Sequence, residues 1–249
     1  MKDDVNGLKQ GTVLHGTWTY TIDRVLGAGG FGITYLATGK GKAGNITVTL
    51  PFCIKEHYRG DLCERADDGT TVVCPGTATS RSQVADSLRD FVGEARRLLQ
   101  VGAEQPNIVK VNEIIEANGT AYYAMEFLNG HTLADLIIER SRKGQTLTEA
   151  EVEALVYPIV NAAAYIHTKK MTHLDIKPEN IMLHQDDEGH TVPVLIDFGL
   201  SKHYNEDGSA TSKVNTMGCS DGYAPSEQYQ GITTFSPAAD VYALGATML

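Results

Sequence analysis

The sequence predicts an α+β chain in two lobes, the first rich in strands and the second mainly helical. Three observations carry that expectation. Apolar residues alternate with polar ones through most of the first half, they recur at helical spacing through most of the second, and Asn129-Gly130 breaks the chain between the two patterns. The lobes so drawn run from about 12 to 128 and from about 129 to 249 of a 249-residue chain, a length that suits one large domain or two small lobes sharing an interface.

Taken in order, TYTIDRVLGAGGFGITYLAT alternates on both sides of a glycine cluster, which predicts a hairpin with a glycine-rich turn. GNITVTLPFCIKEHY follows as a third strand. Roughly Gly60 to Thr79 is polar around TTVVC, with Asp68-Gly69 and Pro75-Gly76 as turn signals, and reads as an inserted hairpin or loop. A helix is expected from about Ser82 to Val101, because Val84, Leu88, Phe91, Val92, Ala95, Leu98 and Leu99 share one face. IVKVNEIIEANG and TAYYAMEFL add two strands. Beyond the boundary, LADLIIERSR is a short helix. TLTEAEVEALVYPIVNAAAYIHTKK is a long one, opened by a capping box of Thr148 and Glu151 and expected to kink at Pro158. NIMLHQ and VPVLIDFG form a strand pair across a polar turn. A long polar segment then runs to Tyr229, and SPAADVYALGATML begins another apolar helix.

Composition narrows the function classes. The apolar fraction of 42% and charged fraction of 21% are those of an ordinary soluble globular protein. Lys plus Arg is 21 against 31 Asp plus Glu, a formal charge of −10, which argues against sequence-independent nucleic-acid binding and against docking on anionic lipid. MKDDVNGLKQG lacks the apolar core of a signal peptide, and no apolar run is long enough to span a bilayer. The four cysteines, Cys53, Cys63, Cys74 and Cys219, form no C-x-x-C pair and read as reduced thiols of a cytoplasmic protein. Cys63 and Cys74 can face each other across a hairpin, although nothing in the sequence requires it.

Five places in the chain point to chemistry. Gly27, Gly29 and Gly32 form G-x-G-x-x-G, which alone is as compatible with an ordinary glycine-rich turn as with a ligand loop. A dinucleotide fold needs a helix directly after the glycines, whereas ITYLAT favours a strand; strand, glycine loop, strand is the arrangement that folds over a triphosphate. Lys55 ends the run PFCI and is either a solvated lysine or a point charge aimed at phosphates. Glu94 sits at the edge of the apolar stripe of its helix, as a rim glutamate or as the partner of Lys55. HLDIKPEN is the most specific segment. Asp175 can take a hydroxyl proton, Lys177 can neutralise charge on a transferred phosphoryl group, Asn180 offers a hard oxygen ligand for Mg²⁺, and Pro178 holds them out of a helix. Asp197-Phe198-Gly199 follows the apolar run VLI, where an aspartate suits a metal ligand or an ordinary turn.

The ordered set GAGGFGITY, FCIK, Glu94, HLDIKPEN, DFG, APSE and DVYALG resembles the eukaryotic-type serine/threonine protein kinases, of the kind also found in bacteria, from about Tyr20 onward. The resemblance implies a bilobal protein-kinase-like fold with a β-rich N-lobe and a mainly helical, incomplete C-lobe. It implies ATP, Mg²⁺ and a protein substrate carrying Ser or Thr. Leu26, Gly27, Ala28, Gly29, Gly30, Phe31, Gly32 and Thr34 would form the loop over the phosphates. Lys55 would contact the phosphates and pair with Glu94. Met125 would be the gatekeeper, Glu126 and Leu128 would supply hinge backbone groups, and Cys53 and Met182 would pack on adenine. Asp175 would be the catalytic base beside Lys177, with Asn180 and Asp197 on Mg²⁺. Ser220, counted back from APSE, would be the residue that marks Ser/Thr specificity; another alignment puts Cys219 there.

Departures from the pattern carry their own expectations. Leu174 replaces the arginine that pairs with an activation-loop phosphate, so activity should not need that phosphate. Alanine at the Ser and Thr residues between Gly199 and Tyr223, Ser220 apart, should then leave activity intact. Asp240 would brace the catalytic loop from a helix barely begun. The family's C-lobe runs past Leu249, so a missing segment or a partner is expected to cover it. Two rival readings stand beside the enzyme: a pseudokinase or nucleotide-binding scaffold, and a kinase acting on small molecules.

Overall fold

The computed structural model describes residues 6–29, 32–205, 207, 219–229 and 236–249. The chain divides into two compact units, residues 1–100 with 110–127, and residues 101–109 with 128–249.

The first unit is built on a six-stranded antiparallel sheet. Its strands are β1 (Val13–His15), β2 (Thr19–Gly29), β3 (Gly32–Ala43), β4 (Ile46–His57), β7 (Val111–Ala117) and β8 (Thr120–Glu126), in the order β1-β2-β3-β4-β8-β7. Alternation sets its two faces. Tyr35, Ala37, Phe52, Ile54, Tyr122 and Ala124 point to one side, where they form an apolar cluster with Leu8, Leu14, Tyr20 and Ile22. Between β4 and β7, β5 (Glu64–Arg65) and β6 (Val72–Val73) form a small hairpin, and α1 (Ala78–Glu104) follows. The helix starts earlier than its apolar stripe suggests, because Thr77 caps it: Thr77 Oγ1 accepts the Ser80 N–H at 3.2 Å. The insertion therefore ends at the Pro75-Gly76 turn rather than at Thr79.

The hairpin is tied into the sheet by charge. Arg65 donates to both oxygens of Glu56, at 3.0 and 2.9 Å, and to the carbonyls of Asn6 and Thr70. Tyr35 donates to Glu56 Oε2 at 2.5 Å and its own oxygen accepts the Leu8 N–H. Burial and the Glu56 carboxylate push the Tyr35 hydroxyl far above the ordinary tyrosine range, so it stays a donor.

The second unit contains β9 (Gly130–Thr132), α2 (Leu133–Arg142), α3 (Glu149–Thr168), β10 (Met171–Thr172), β11 (Ile181–Gln185), β12 (Thr191–Leu195), β13 (Lys202–His203), α4 (Ser226–Tyr229) and α5 (Ala238–Met248). β12, β11 and β9 form a small sheet, and β10 pairs with β13. Capping boxes open both α2 (Thr132 with Asp135) and α3 (Thr148 with Glu151). Pro158 does not interrupt α3. The carbonyl it leaves without a helical partner, that of Ala154, lies on an exposed turn where water can take it. Pro178 likewise opens a 3₁₀ turn, Pro178–Asn180, instead of excluding helical geometry. The missing N–H of proline costs nothing at a first helical position. Val241, Tyr242 and Met248 on α5 are exposed. No helix among the described residues is long and apolar enough to cross a membrane.

Candidate active site

In the first unit the chemistry lies on the sheet face opposite the apolar cluster. The register places Thr34 opposite Lys55, Lys55 opposite Tyr123, and Cys53 opposite Met125. Alternation along β4 and β8 brings Cys53, Lys55, Tyr123 and Met125 to one face. There Lys55 Nζ meets Glu94 Oε1 of α1 at 3.3 Å. The sequence gives no hint of Tyr123 as a site residue, yet its hydroxyl donates to the same Glu94 oxygen at 2.8 Å, and its ring lies 5.7 Å from the Lys55 ammonium. Phe91 packs on Tyr123 with centroids 4.9 Å apart, so α1 and β8 hold the carboxylate between them. The register Lys55↔Tyr123 was the missing signal, and only strand pairing supplies it. Burial pushes the Cys53 thiol up to about 11, so it is a neutral apolar wall on this face.

Of the loop residues, Leu26, Gly27, Ala28 and Gly29 end β2, and Gly32 and Thr34 begin β3. Gly30 and Phe31 lie outside the described residues. Added side chains at Gly27 and Gly29 would meet no atom of the chain within 4 Å, whereas one at Gly32 would run into the Glu56 carbonyl. Of these three glycines, internal packing requires the missing side chain at Gly32 alone. Glu126 ends β8, and its N–H donates to Lys110 O at 3.0 Å.

In the second unit the catalytic-loop residues converge. Asp175 Oδ2 accepts from Asn180 Nδ2 at 2.8 Å and meets Lys177 Nζ at 3.0 Å. Asp175 Oδ1 accepts from Ser220 Oγ at 2.6 Å, and Lys177 donates to Ser220 Oγ at 2.7 Å. The Asp175 carboxylate, the Lys177 ammonium and the Ser220 hydroxyl are thereby closed into a ring of contacts, and the Asn180 amide is bonded to the carboxylate from outside it. Cys219, the other candidate for the Ser220 position, points its Sγ at Gln228 O, 3.3 Å away. Asp197 lies two residues past β12 in a left-handed conformation, φ 58°. It is exposed, its Oδ1 accepts the Gly199 N–H at 3.3 Å, and the preceding Ile196 N–H is bonded to Asn180 O at 2.9 Å. Met182 sits on β11 and Leu128 just before β9.

The loop is held from behind by Asp240 of α5, which is fully buried. Its Oδ2 accepts the His173 N–H at 2.9 Å and its Oδ1 the Leu174 N–H at 2.8 Å. His167 Nε2 adds a third contact at 2.7 Å, which the sequence did not suggest. These bonds secure Leu174 in a left-handed conformation, φ 67°, that costs a branched side chain energy. Burial holds the His173 imidazole below its usual pKa, and its Nδ1 accepts the Asp175 N–H at 3.2 Å. Leu174 itself packs with Ala239, Leu200 and Tyr204.

The donor set fits a divalent cation in one respect. Asn180 directs its N–H₂ to the carbonyl and carboxylate of Asp175, which leaves its hard oxygen as the group for a ligand. Among the described residues no group of three or more His, Cys, Asp and Glu is placed to hold a metal, so a cation here would rest on Asn180 and Asp197 with oxygens from elsewhere.

Known proteins match at the level of sequence and of fold. The family described as protein kinase domain matches residues 62–249. Serine/threonine-protein kinase F of Synechocystis is 28% identical over 232 residues, 92% of this chain and 43% of that protein. Serine/threonine-protein kinase C of the same organism is 30% identical over 236 residues, 92% of this chain and 38% of that protein. Serine/threonine-protein kinase PknA of Nostoc is 28% identical over 237 residues, 92% of this chain and 36% of that protein. The chain therefore spans less than half the length of these relatives. A solved structure described as the PpkA-294 apo form superposes with a TM-score of 0.71 at 29% identity, covering 98% of this chain and 78% of that one. The family match, the relatives and the shared bilobal fold agree: the chain belongs to the protein kinase domain family, among its bacterial-like serine/threonine members.

Proposed function

We propose that the chain is an ATP-dependent protein serine/threonine kinase with one kinase domain over residues 1–249, its N-lobe at about 12–128 and its C-lobe at about 129–249. The observation that carries this reading is the ring formed by Asp175, Lys177 and Ser220, with Asn180 bonded to the same Asp175 carboxylate. In this reading Asp175 orients the substrate hydroxyl and accepts its proton as the hydroxyl oxygen bonds to the γ-phosphorus and the bond from that phosphorus to ADP breaks. Lys177, 3.0 Å from the Asp175 carboxylate, compensates charge on the moving phosphoryl group. Ser220 holds both groups apart at a set distance and reads a Ser or Thr side chain. Asn180 and Asp197 would hold Mg²⁺, which when bound neutralises the phosphate oxygens.

Lys55, oriented by Glu94, would meet the α- and β-phosphates. Gly27 and Gly29, where a side chain would meet nothing in the chain, keep space for phosphate beside their amides. Leu26, Ala28 and Thr34 belong to the same loop, and Cys53, Met125 and Met182 supply apolar contact for adenine. The Glu126 N–H is engaged by Lys110, so Leu128 is the hinge donor in this scheme. The packing of Leu174 with Leu200, Tyr204 and Ala239 supports control without the phosphate that an arginine there would bind. The exposed side chains on α5 suit a covering protein surface. The acid balance and four free thiols suit the cytoplasm and a protein partner rather than nucleic acid.

The test is Mg²⁺-dependent transfer of labelled γ-phosphate from ATP to the chain and to a generic Ser/Thr substrate. Transfer should be lost in Asp175→Asn, by about 10³-fold or more, while nucleotide still binds. Nucleotide binding by the unaltered chain with no transfer would replace the enzyme by a nucleotide-binding scaffold.

A further inference from the structure

Cys63 and Cys74 bracket the β5–β6 hairpin. The register pairs Glu64 with Val73 and Arg65 with Val72, so one step further sets Cys63 opposite Cys74. The Ala66 N–H donates to Thr71 O at 2.8 Å, which makes Ala66 and Thr71 a hydrogen-bonded pair. Such pairs alternate along an antiparallel ladder, so Arg65/Val72 is of the closer, non-hydrogen-bonded kind, and Cys63 and Cys74, one step past the last paired residues Glu64 and Val73, fall at the next such position. Cα atoms at such positions lie about 4.5 Å apart, inside the window of roughly 4.4–6.8 Å that a disulfide spans. Facing is also right. Arg65 and Val72 turn inward, and the period of two along a strand puts both cysteines on that inward face. Cys63 is 5% exposed in the apolar cluster of the first unit, and Cys74 is partly buried against the same cluster. Both are free thiols.

The geometry points to a redox modification site: a cross-strand dithiol, Cys63 and Cys74, that closes to an intramolecular disulfide with low-molecular-weight disulfides as oxidant. Cys74 is the entry, being the more accessible thiol. Its thiolate attacks one sulfur of the oxidant, the sulfur–sulfur bond breaks, and one small thiolate leaves. Cys63 then gives its proton to that thiolate and attacks Cys74 Sγ, releasing the second small thiol. Two protein thiols lose two electrons and two protons, and one small disulfide becomes two thiols. Burial keeps the Cys63 thiol above its usual pKa, so its proton leaves late, once the mixed disulfide is in reach. The bond staples the hairpin that carries Arg65 to Glu56.

The experiment treats the intact 249-residue chain with oxidised glutathione, blocks remaining thiols by alkylation, and maps peptides without reduction. The expected product joins the peptides of Cys63 and Cys74, lighter by two hydrogen atoms, with Cys53 and Cys219 alkylated. Its melting temperature should rise by several degrees and return on adding dithiothreitol. Cys63→Ser should stop at a glutathione adduct on Cys74. If that variant does not fold, Cys74→Ser serves, and there Cys63 should stay unmodified over the same time. Separate glutathione adducts on Cys63 and Cys74 in the unaltered chain would overturn the proposal. So would a link from either to Cys53 or Cys219, or full alkylation of all four thiols after oxidation.

Discussion

Lys55 and Glu56 are neighbours in the chain, yet the two faces of β4 use them in opposite ways. Lys55 meets Glu94 at 3.3 Å and keeps 16% of its side chain exposed. Glu56 is fully buried, held at both oxygens by Arg65, whose side chain is only 3% exposed, and held again by Tyr35. A two-pronged guanidinium pair, closed on all sides, is a structural joint. An ammonium that stays partly exposed remains able to meet an anion that arrives. Charge type alone does not separate these roles; burial and the geometry of the pairing do.

The largest test of that contrast is Arg65→Met, which leaves Glu56 buried without its cation. It should cost about 3–5 kcal/mol in urea unfolding, and a second change, Glu56→Gln, should recover a large part. A loss below about 1 kcal/mol would mean that the joint is solvated. Lys55→Met on the other face should do the reverse. Phosphoryl transfer should fall by about 10²–10³-fold, roughly 2.7–4 kcal/mol of barrier. Stability should fall far less than in Arg65→Met, because Lys55 is partly exposed and bonds one Glu94 oxygen, whereas Arg65 is buried and bonds both oxygens of Glu56. Equal stability losses in the two variants would break the comparison.

A third test uses pH. His57 follows Glu56 on the Lys55 face, 2.9 Å from Ser87 Oγ and packed on Phe91, and burial lowers its pKa from 6.5 to about 4. The folded state therefore resists a proton that the unfolded chain accepts below pH 6.5. Stability should be complete above about 6.5 and decline as pH falls toward 4, by at most about 3 kcal/mol. In His57→Gln this part of the slope should vanish; an unchanged slope would place the acid sensitivity elsewhere. The smallest effect is expected for Tyr123→Phe, which removes one bond to Glu94 at a cost of about 1 kcal/mol in unfolding. It should also raise the KM for ATP, by loosening Glu94 under Lys55. No change in KM would make Tyr123 a packing residue only.

The predicted α+β class rests on patterns that one strand or helix carries by itself. Alternation in TYTIDRVLG, the stripe through α1 and the Thr148 capping box are local, and each element formed where its pattern lies. Local reading erred at an edge and at Pro178. The Thr77 cap extended α1 into the insertion, and Pro178 was absorbed at the first position of a 3₁₀ turn. Asp175, Lys177 and Asn180 could be grouped by eye because six positions of chain confine them. Ser220, by contrast, lies 45 positions along the chain from Asp175, so spacing offers two alignments and packing shows which side chain arrives.

What the sequence by itself determined is the order of elements, the two lobes' differing character and the inventory of groups able to hold phosphate or a cation. Those follow from propensities and periods that act over a few residues. Only the tertiary structure decided which carboxylate each cation meets. Lys55 with Glu94, Arg65 with Glu56 and Asp240 beneath His173 are each brought together by strand register or helix packing across the fold. An acidic chain offers every lysine and arginine many carboxylates, and the choice is made by where burial leaves a charge that must be paired.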